Sequence, residues 1–221
     1  MTDFYGDAHR VLQDEFGTRN LADGLVQITV QEQIVGADAA FIEAADMFFL
    51  STINHAGQPT VSYKGGDPGF VKIVNPTTLV FPSYDGNGMF LSMGNLAANP
   101  LIGMLFIDFQ RPDRRRVQGR ATVVRDHPLK VAYPEADFLV QVQMTQMWVN
   151  CPRYIHSYTK TGASDYVPRS GVVTPLAPWK RIDTIQPLLS AADQAKAAEA
   201  GLISTEQYQA SVSEPGRTPQ T

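Results

Sequence analysis

Cysteine is all but missing from this sequence: Cys151 stands alone among 221 residues. A lone cysteine excludes an intramolecular disulfide and any zinc site built on cysteine pairs. The four histidines, His9, His55, His127 and His156, are scattered. None lies three or four residues from another or from Cys151, so no metal-ligand spacing exists. Long hydrophobic runs are missing too. The strongest, Met47–Leu50 and Leu101–Ile107, fall far short of the ~20 apolar residues that a membrane-spanning helix needs. Gly-x-Ser-x-Gly is absent, and Cys151 is followed by Pro152 with no evident histidine base, which argues against nucleophilic hydrolysis. Neither Gly-x-x-x-x-Gly-Lys nor a Gly-x-Gly-x-x-Gly after a strand occurs, so a nucleotide is not bound in either of those ways. There is no excess of basic charge: 18 Lys and Arg face 22 Asp and Glu, for a net charge of −4. No global field then favours nucleic acid or an anionic membrane. Met1-Thr2-Asp3-Phe4-Tyr5 lacks the basic-then-apolar layout of a signal peptide, so a cytoplasmic protein is expected. The Asn75-Pro76-Thr77 triplet is blocked by its proline as a glycosylation acceptor.

What remains has the composition of an ordinary globular chain, 43% hydrophobic and 18% charged, long enough to bury a real core. The pattern suggests an N-terminal helical extension over 1–35, a central domain over 36–158 and a C-terminal arm with helices over 159–221. Residues 7–16 read as a helix capped by Asp7, with Val11, Leu12 and Phe16 on one face. Residues 18–35 are ambiguous between helix and strand. A second helix is predicted from Asp38 to Ala45, with Asp38 as its cap. Strands follow over 47–53 and 60–63, joined by Asn54-His55-Ala56-Gly57-Gln58-Pro59, then over 70–74 and 79–81. Residues 92–99 read as a short helix ended by Asn99-Pro100. Leu101–Phe109 is apolar on both faces, which predicts a strand buried on both sides or closed into a barrel. Arg116–Val124 alternates cleanly, and 127–136 reads as helical. In 138–149 the apolar positions change phase near Thr145-Gln146, which implies a bulge or sharp bend there. Residues 150–189 are proline-rich and read as an extended arm. Ser190 and Asp193 are spaced like a capping box before a helix that Gly201 stops, Ser204 and Gln207 open another, and 213–221 is expected to be disordered. Short antiparallel hairpins without long intervening helices give a mainly β chain, an antiparallel barrel with peripheral short helices, rather than a parallel α/β sheet.

Two glycine-rich loops stand out, Lys64-Gly65-Gly66-Asp67-Pro68-Gly69-Phe70 and Tyr84-Asp85-Gly86-Asn87-Gly88. Such loops can converge backbone N–H groups on an anion, or can simply be tight hairpin turns. The arginines Arg111, Arg114, Arg115, Arg116, Arg120 and Arg125 form the strongest local charge feature. They read as a solvated turn, as a nucleic-acid patch confined to one hairpin of an acidic protein, as a surface that docks a redox partner protein, or, for Arg116 or Arg120, as a guanidinium aimed at a bound phosphate or ring edge.

Several blocks carry a family resemblance: Ser62-Tyr63-Lys64-Gly65-Gly66-Asp67-Pro68-Gly69-Phe70-Val71-Lys72, Gly86-Asn87, Ser92-Met93-Gly94-Asn95-Leu96, Asn99-Pro100, Phe106-Ile107-Asp108-Phe109, Gly119-Arg120-Ala121 and Asn150-Cys151-Pro152-Arg153-Tyr154-Ile155. Together, across roughly residues 36–158, they resemble flavin-binding proteins related to pyridoxamine 5′-phosphate oxidase. The resemblance implies a split β-barrel, the FMN-binding split barrel, that holds FMN at a homodimer interface with both subunits contributing to each site. For the FMN phosphate the donors it suggests are Lys64 or Lys72, Asn87, Ser92 and Asn95. For the ring it suggests an apolar wall from Phe70, Val71 and Trp148. Partners for the ring's polar edge come from Ser62, Tyr63 and neighbouring backbone, with Gln118 or Arg120. Arg153, His156 and Tyr158 are the candidates for substrate contact, with packing of a dimer arm as their alternative role. The second loop offers asparagine, glycine and serine where the oxidase proper is basic, and Trp179-Lys180-Arg181 only faintly echoes that oxidase's C-terminal substrate residues. The implied function is therefore an FMN-dependent oxidoreductase acting on a small organic or nicotinamide substrate, not pyridoxamine phosphate itself. The alternative is a protein that binds flavin, haem or deazaflavin without turnover, as a carrier or sensor.

Overall fold

The computed structural model describes residues 4–213, so the expected disordered tail lies outside the described residues from 214 onward. The chain divides into two compact units, one ending at Thr161 and one beginning at Gly162. In the first, helices α1 (Asp7–Glu15) and α2 (Arg19–Thr29) lead into a two-residue strand, β1 (Val30–Gln31). Then come α3 (Gly36–Ala44), β2 (Met47–Ile53), β3 (Pro59–Gly65), β4 (Lys72–Asn75) and β5 (Thr78–Ser83). Helix α4 (Leu91–Ala98) precedes the three long strands β6 (Leu101–Asp108), β7 (Asp113–Val124) and β8 (Phe138–Val149).

All pairing is antiparallel, in the order β3-β2-β6-β7-β8-β5-β4, with β1 added to β8. The two end strands, β3 and β4, are consecutive in the chain and no ladder joins them. The segment 66–71 bridges that gap instead. One face of the sheet carries the core: Phe48, Leu50, Met104, Phe106, Val117, Val140, Val142 and Met147 are all buried. Phe48 is its centre, with ring centroids of Phe81 at 5.0 Å, Phe106 at 5.1 Å and Phe70 at 5.8 Å.

The expected defect in β8 is a bulge. Gln118 pairs with Gln146 and Gly119 with Met144, so Thr145 is the extra residue, and its hydroxyl donates to the Gln118 carbonyl at 3.1 Å. Gly119 is required opposite it, since a Cβ there would stand 2.5 Å from the Gln143 carbonyl oxygen.

Other expectations need correction. Gly6 rather than Asp7 caps α1, and Val35 rather than Asp38 precedes α3. Asp38 sits in the first turn of α3 and is taken by an ion pair with Arg115 at 2.5 Å. Phe70 and Val71 lie before β4, not in it. The 127–136 segment forms only a 3-10 turn over Pro128–Ala132, because Pro134 and the left-handed Glu135 (φ 56°) prevent a longer helix. Strand β6 is buried on one face only. Leu101 is 47% exposed, and Gly103, Leu105 and Ile107 are half-buried.

The second unit is built from two 3-10 turns (Pro178–Arg181 and Asp183–Leu188) and helices α5 (Ala191–Ala200) and α6 (Thr205–Val212). Ser190 and Ser204 cap the helices as their spacing predicts, accepting from the amides of Asp193 and Gln207. The buried Lys180 ammonium pairs with Asp193 at 3.1 Å. No helix among the described residues is long and apolar enough to cross a membrane.

Candidate functional site

Strand β3 alternates strictly. Pro59, Val61 and Tyr63 are exposed, while Thr60, Ser62 and Lys64 turn inward. Ser62 lies in the same cross-strand row as Leu50, Met104, Val117 and Met147, all buried. Hydroxyls and an ammonium on a core-facing strand edge need partners, and α4 supplies most of them. The buried Asn95 amide donates to the Thr52 hydroxyl at 3.0 Å and the Thr60 hydroxyl at 3.3 Å, and those two hydroxyls are 2.8 Å apart. Ser62 and Ser92 hydroxyls are 3.1 Å apart. These bonds fasten α4 across the β2–β3 hairpin with its first turn beside Ser62.

Lys64 is left over. Half-buried, two residues along the same face from Ser62, it makes no ion pair among the described residues, and burial is what pulls its ammonium below the ordinary lysine range. The start of α4 adds a partial positive charge and first-turn amides that have no acceptor within the helix. Its N-cap, Phe90, is held in the left-handed region at φ 47° and ψ 27°, an uncommon conformation for a bulky residue. Ser62, Ser92 and this helix start lie together, and Lys64 follows two residues along the same strand face, so this end of β3 carries hydroxyl, amide and ammonium donors. A phosphate monoester fits that donor set; a metal cation does not.

The remaining predicted residues lie elsewhere. Tyr63 pairs with Phe49, Phe49 with Leu105, Leu105 with Arg116 and Arg116 with Trp148, in one row across five strands on the outer face. Gln118 and Arg120 are on that same outer face, Gln118 accepting from the Gln146 amide at 3.1 Å. Trp148 packs edge-on against Phe4, with centroids 5.3 Å apart. The predicted residues thus split into an inner set (Ser62, Lys64, Ser92, Asn95) and an outer set (Tyr63, Gln118, Arg120, Trp148). In one chain the two sets are on opposite faces, and Gln118 and Trp148 are three and four strands from β3, about 14 to 19 Å.

Phe70 and Val71 are buried in the core, 5% and 0% exposed. Their side chains cannot wall a ring, and only their backbone remains for a ligand. The first glycine loop is likewise committed: the amides of Gly66 and Gly69 donate to the carbonyls of Asp46 and Glu43, and that of Phe70 to Asp67. It clasps α3 and β2 rather than gathering amides on an anion. Asn87 closes its own loop, accepting from the Met89 amide at 3.1 Å. The Lys72 ammonium stands over the Tyr133 ring at 5.7 Å, on the β4 side of the open edge.

Arg153, His156 and Tyr158 lie on an exposed strap, residues 150–160, that follows β8. It is tied down by the Tyr158 amide donating to the Phe109 carbonyl at 2.9 Å, by the edge-on pair of those two rings, and by a Lys160–Asp46 ion pair. The arginine hairpin resolves into individual roles. Arg115 is bound by Asp38 and Asp113 and lies over the Phe41 ring at 4.5 Å, Arg111 pairs with Asp108, and Arg114 donates to the Cys151 carbonyl. Thr52 and Thr60 were missed by sequence reasoning. Their signal was a threonine at a core-facing position of each strand in the 47–63 hairpin, where an apolar residue would be usual.

Residues 34–145, half of the chain, match the pyridoxamine 5′-phosphate oxidase family. No curated protein sequence matches the chain. Several solved structures are similar to it. HupZ from Group A Streptococcus shares 12% identity, over 52% of this chain and 93% of that one, with a TM-score of 0.43. An FMN-binding protein from Syntrophomonas wolfei shares 9%, over 66% and 98%, with a TM-score of 0.40. HutZ, the heme storage protein from Vibrio cholerae, shares 18%, over 49% and 89%, with a TM-score of 0.38.

Proposed function

The chain belongs to the pyridoxamine 5′-phosphate oxidase family, and on that footing we propose that it is a flavoprotein that seats the phosphate of FMN against Lys64, Ser62, Ser92 and the first turn of α4. The observation that carries this reading is Lys64, a half-buried cation with no carboxylate partner among the described residues. Such a charge is costly unless a ligand compensates it, and a phosphate does so with charge-assisted hydrogen bonds.

The ring would extend from this cradle toward the outer face of a second copy, whose Gln118, Arg120 and Trp148 would complete the site that one chain leaves divided. Strand β6 supports that arrangement. Its sequence is apolar on both faces, yet its outer residues are only half-buried in the single chain. Bound FMN would supply a hydride or electron acceptor, and the protein would supply orientation, charge and exclusion of water. Arg153, His156 and Tyr158 on the strap are the side chains proposed for substrate contact.

The test is a titration of the purified protein with FMN and with riboflavin, followed by flavin fluorescence. FMN should bind at least ten times more tightly, because only it carries the phosphate that Lys64 would hold. Equal affinities, or no binding of either, would count against the proposal. Anaerobic addition of NADH or NADPH to the loaded protein then separates the two functional classes: bleaching of the flavin absorbance indicates an oxidoreductase, and an unchanged spectrum with tight binding indicates a carrier or sensor.

A further inference from the structure

A cleft of about 510 Å³ opens on the far side of the sheet from the phosphate cradle, between α2, β1 and the bulged part of β8. That volume is in the range of small-molecule sites. Phe4, Val26 and Val30 give it apolar walls. Gln27 and Gln33 line it from the N-terminal segment, and Thr145 and Gln146 from β8. Among the described residues, Glu32 is the one ionisable side chain in the lining, and none of those lining residues is lysine, arginine or histidine.

The bulge explains why polar groups face outward here. An extra residue in an antiparallel strand re-aims its neighbours, and bulges are frequent beside binding sites. Thr145 is that extra residue, and Gln146 is held by its hydrogen bond to Gln118 at 3.1 Å. Gly119, whose Cβ would meet backbone at 2.5 Å, keeps the bulge in place. Apolar walls, several carboxamides able to donate and accept, and a single negative charge describe a receptor for a flat molecule with an amide-like edge. The same lining disfavours an anion, because no basic side chain among the described lining residues opposes Glu32.

We propose that this cleft is a binding site for a small planar molecule, neutral or cationic, that carries an amide- or amidine-like edge. The cleft lies apart from Lys64, Ser62 and Ser92, and its Gln146 and Phe4 touch Gln118 and Trp148, so it adjoins the outer residues proposed to complete the flavin site. The test uses three probes of one shape and three charges, namely benzamide, benzamidinium and benzoate. Each is titrated into the full-length protein while backbone and glutamine side-chain resonances are followed by NMR. Benzamide and benzamidinium should shift the side-chain amides of Gln27, Gln33 and Gln146, and benzoate should bind at least five-fold more weakly. Glu32→Lys, an exposed substitution, should reverse the order of benzamidinium and benzoate. Filling the cleft with Val26→Trp should abolish the shifts. Absence of shifts at those amides, or an unchanged charge order in the Glu32→Lys protein, would overturn the proposal.

Discussion

Burial acts on Lys64 with no ion-pair partner among the described residues to offset the loss of water, so folding disfavours its charged form and lowers its pKa. The sign for stability follows directly. The penalty is present in full below the folded pKa, and it fades as pH rises through that value toward the ordinary lysine range, because the unfolded chain then holds more protons than the folded one. Lys64→Met should therefore be more stable than the parent protein at pH 7, with the gap closing near pH 10.5, as measured by urea denaturation at both pH values. The same substitution should weaken FMN binding about ten-fold or more while leaving riboflavin unchanged, since a charge-assisted contact is worth roughly 1.5–3 kcal/mol. Arg115 is the contrasting case. Burial alone would pull it down, but hydrogen bonds to Asp113 and Asp38 more than reverse this and hold it above its ordinary value. Arg115→Met leaves Asp38, 13% exposed, without its cationic partner and with only the Gln31 amide still donating to it at 3.2 Å. Loss of one member of a buried pair costs about 3 kcal/mol. Urea unfolding should show that loss, and an unchanged midpoint would mean that the pair does not hold α3 to the sheet.

At the level of elements, the pleat fixes most of what was readable. The alternation in 116–124 and the phase change at Thr145 announce β7 and the β8 bulge, because a two-residue period leaves one choice of face per residue. The capping residues Ser190 and Ser204 gave the starts of α5 and α6 for the same reason of local chemistry. Glycine density was a poorer guide. Gly66 and Gly69 spend their amides on Asp46 and Glu43, long-range partners that no local pattern announces. Likewise Phe70, read as a wall for a ring, is a core residue stacked near Phe48. Gly119 tests the element account. A methyl group there would press on the Gln143 carbonyl oxygen at 2.5 Å and the Met144 Cα at 3.1 Å, which are backbone atoms unable to rotate aside. Gly119→Ala should therefore destabilise the protein by about 2 kcal/mol. Thermal unfolding should fall accordingly, whereas Gly94→Ala, with open space around its Cβ position, should not lower it.

Taken as a whole, the molecule presents a sheet whose second face is unfinished. Phe49, Leu105 and Ile107 are half-buried there, Val61 and Tyr63 are 69% and 62% exposed, and Arg116 and Arg120 stand among them without carboxylate partners among the described residues. Apolar residues interleaved with arginine and tyrosine are the composition of an interface core rather than of a solvated surface. The sequence named candidate residues but not their placement, since in one chain Ser62, Lys64, Ser92 and Asn95 face inward and Tyr63, Gln118, Arg120 and Trp148 outward, and the proposed second copy is what would bring the two groups together. Two consequences should then move together. The chain should run in size-exclusion chromatography with light scattering at twice its 24.3 kDa mass, and FMN affinity should fall on dilution below the dimer dissociation constant. Leu105 is in the middle of the outer row, between Phe49 and Arg116, and its half-buried side chain makes Leu105→Glu tolerable to the folded monomer. That variant should elute as a folded monomer and lose FMN binding, although no atom of Lys64, Ser62 or Ser92 has been touched. A monomeric Leu105→Glu protein that still bound FMN with parental affinity would show that the cradle suffices within one chain.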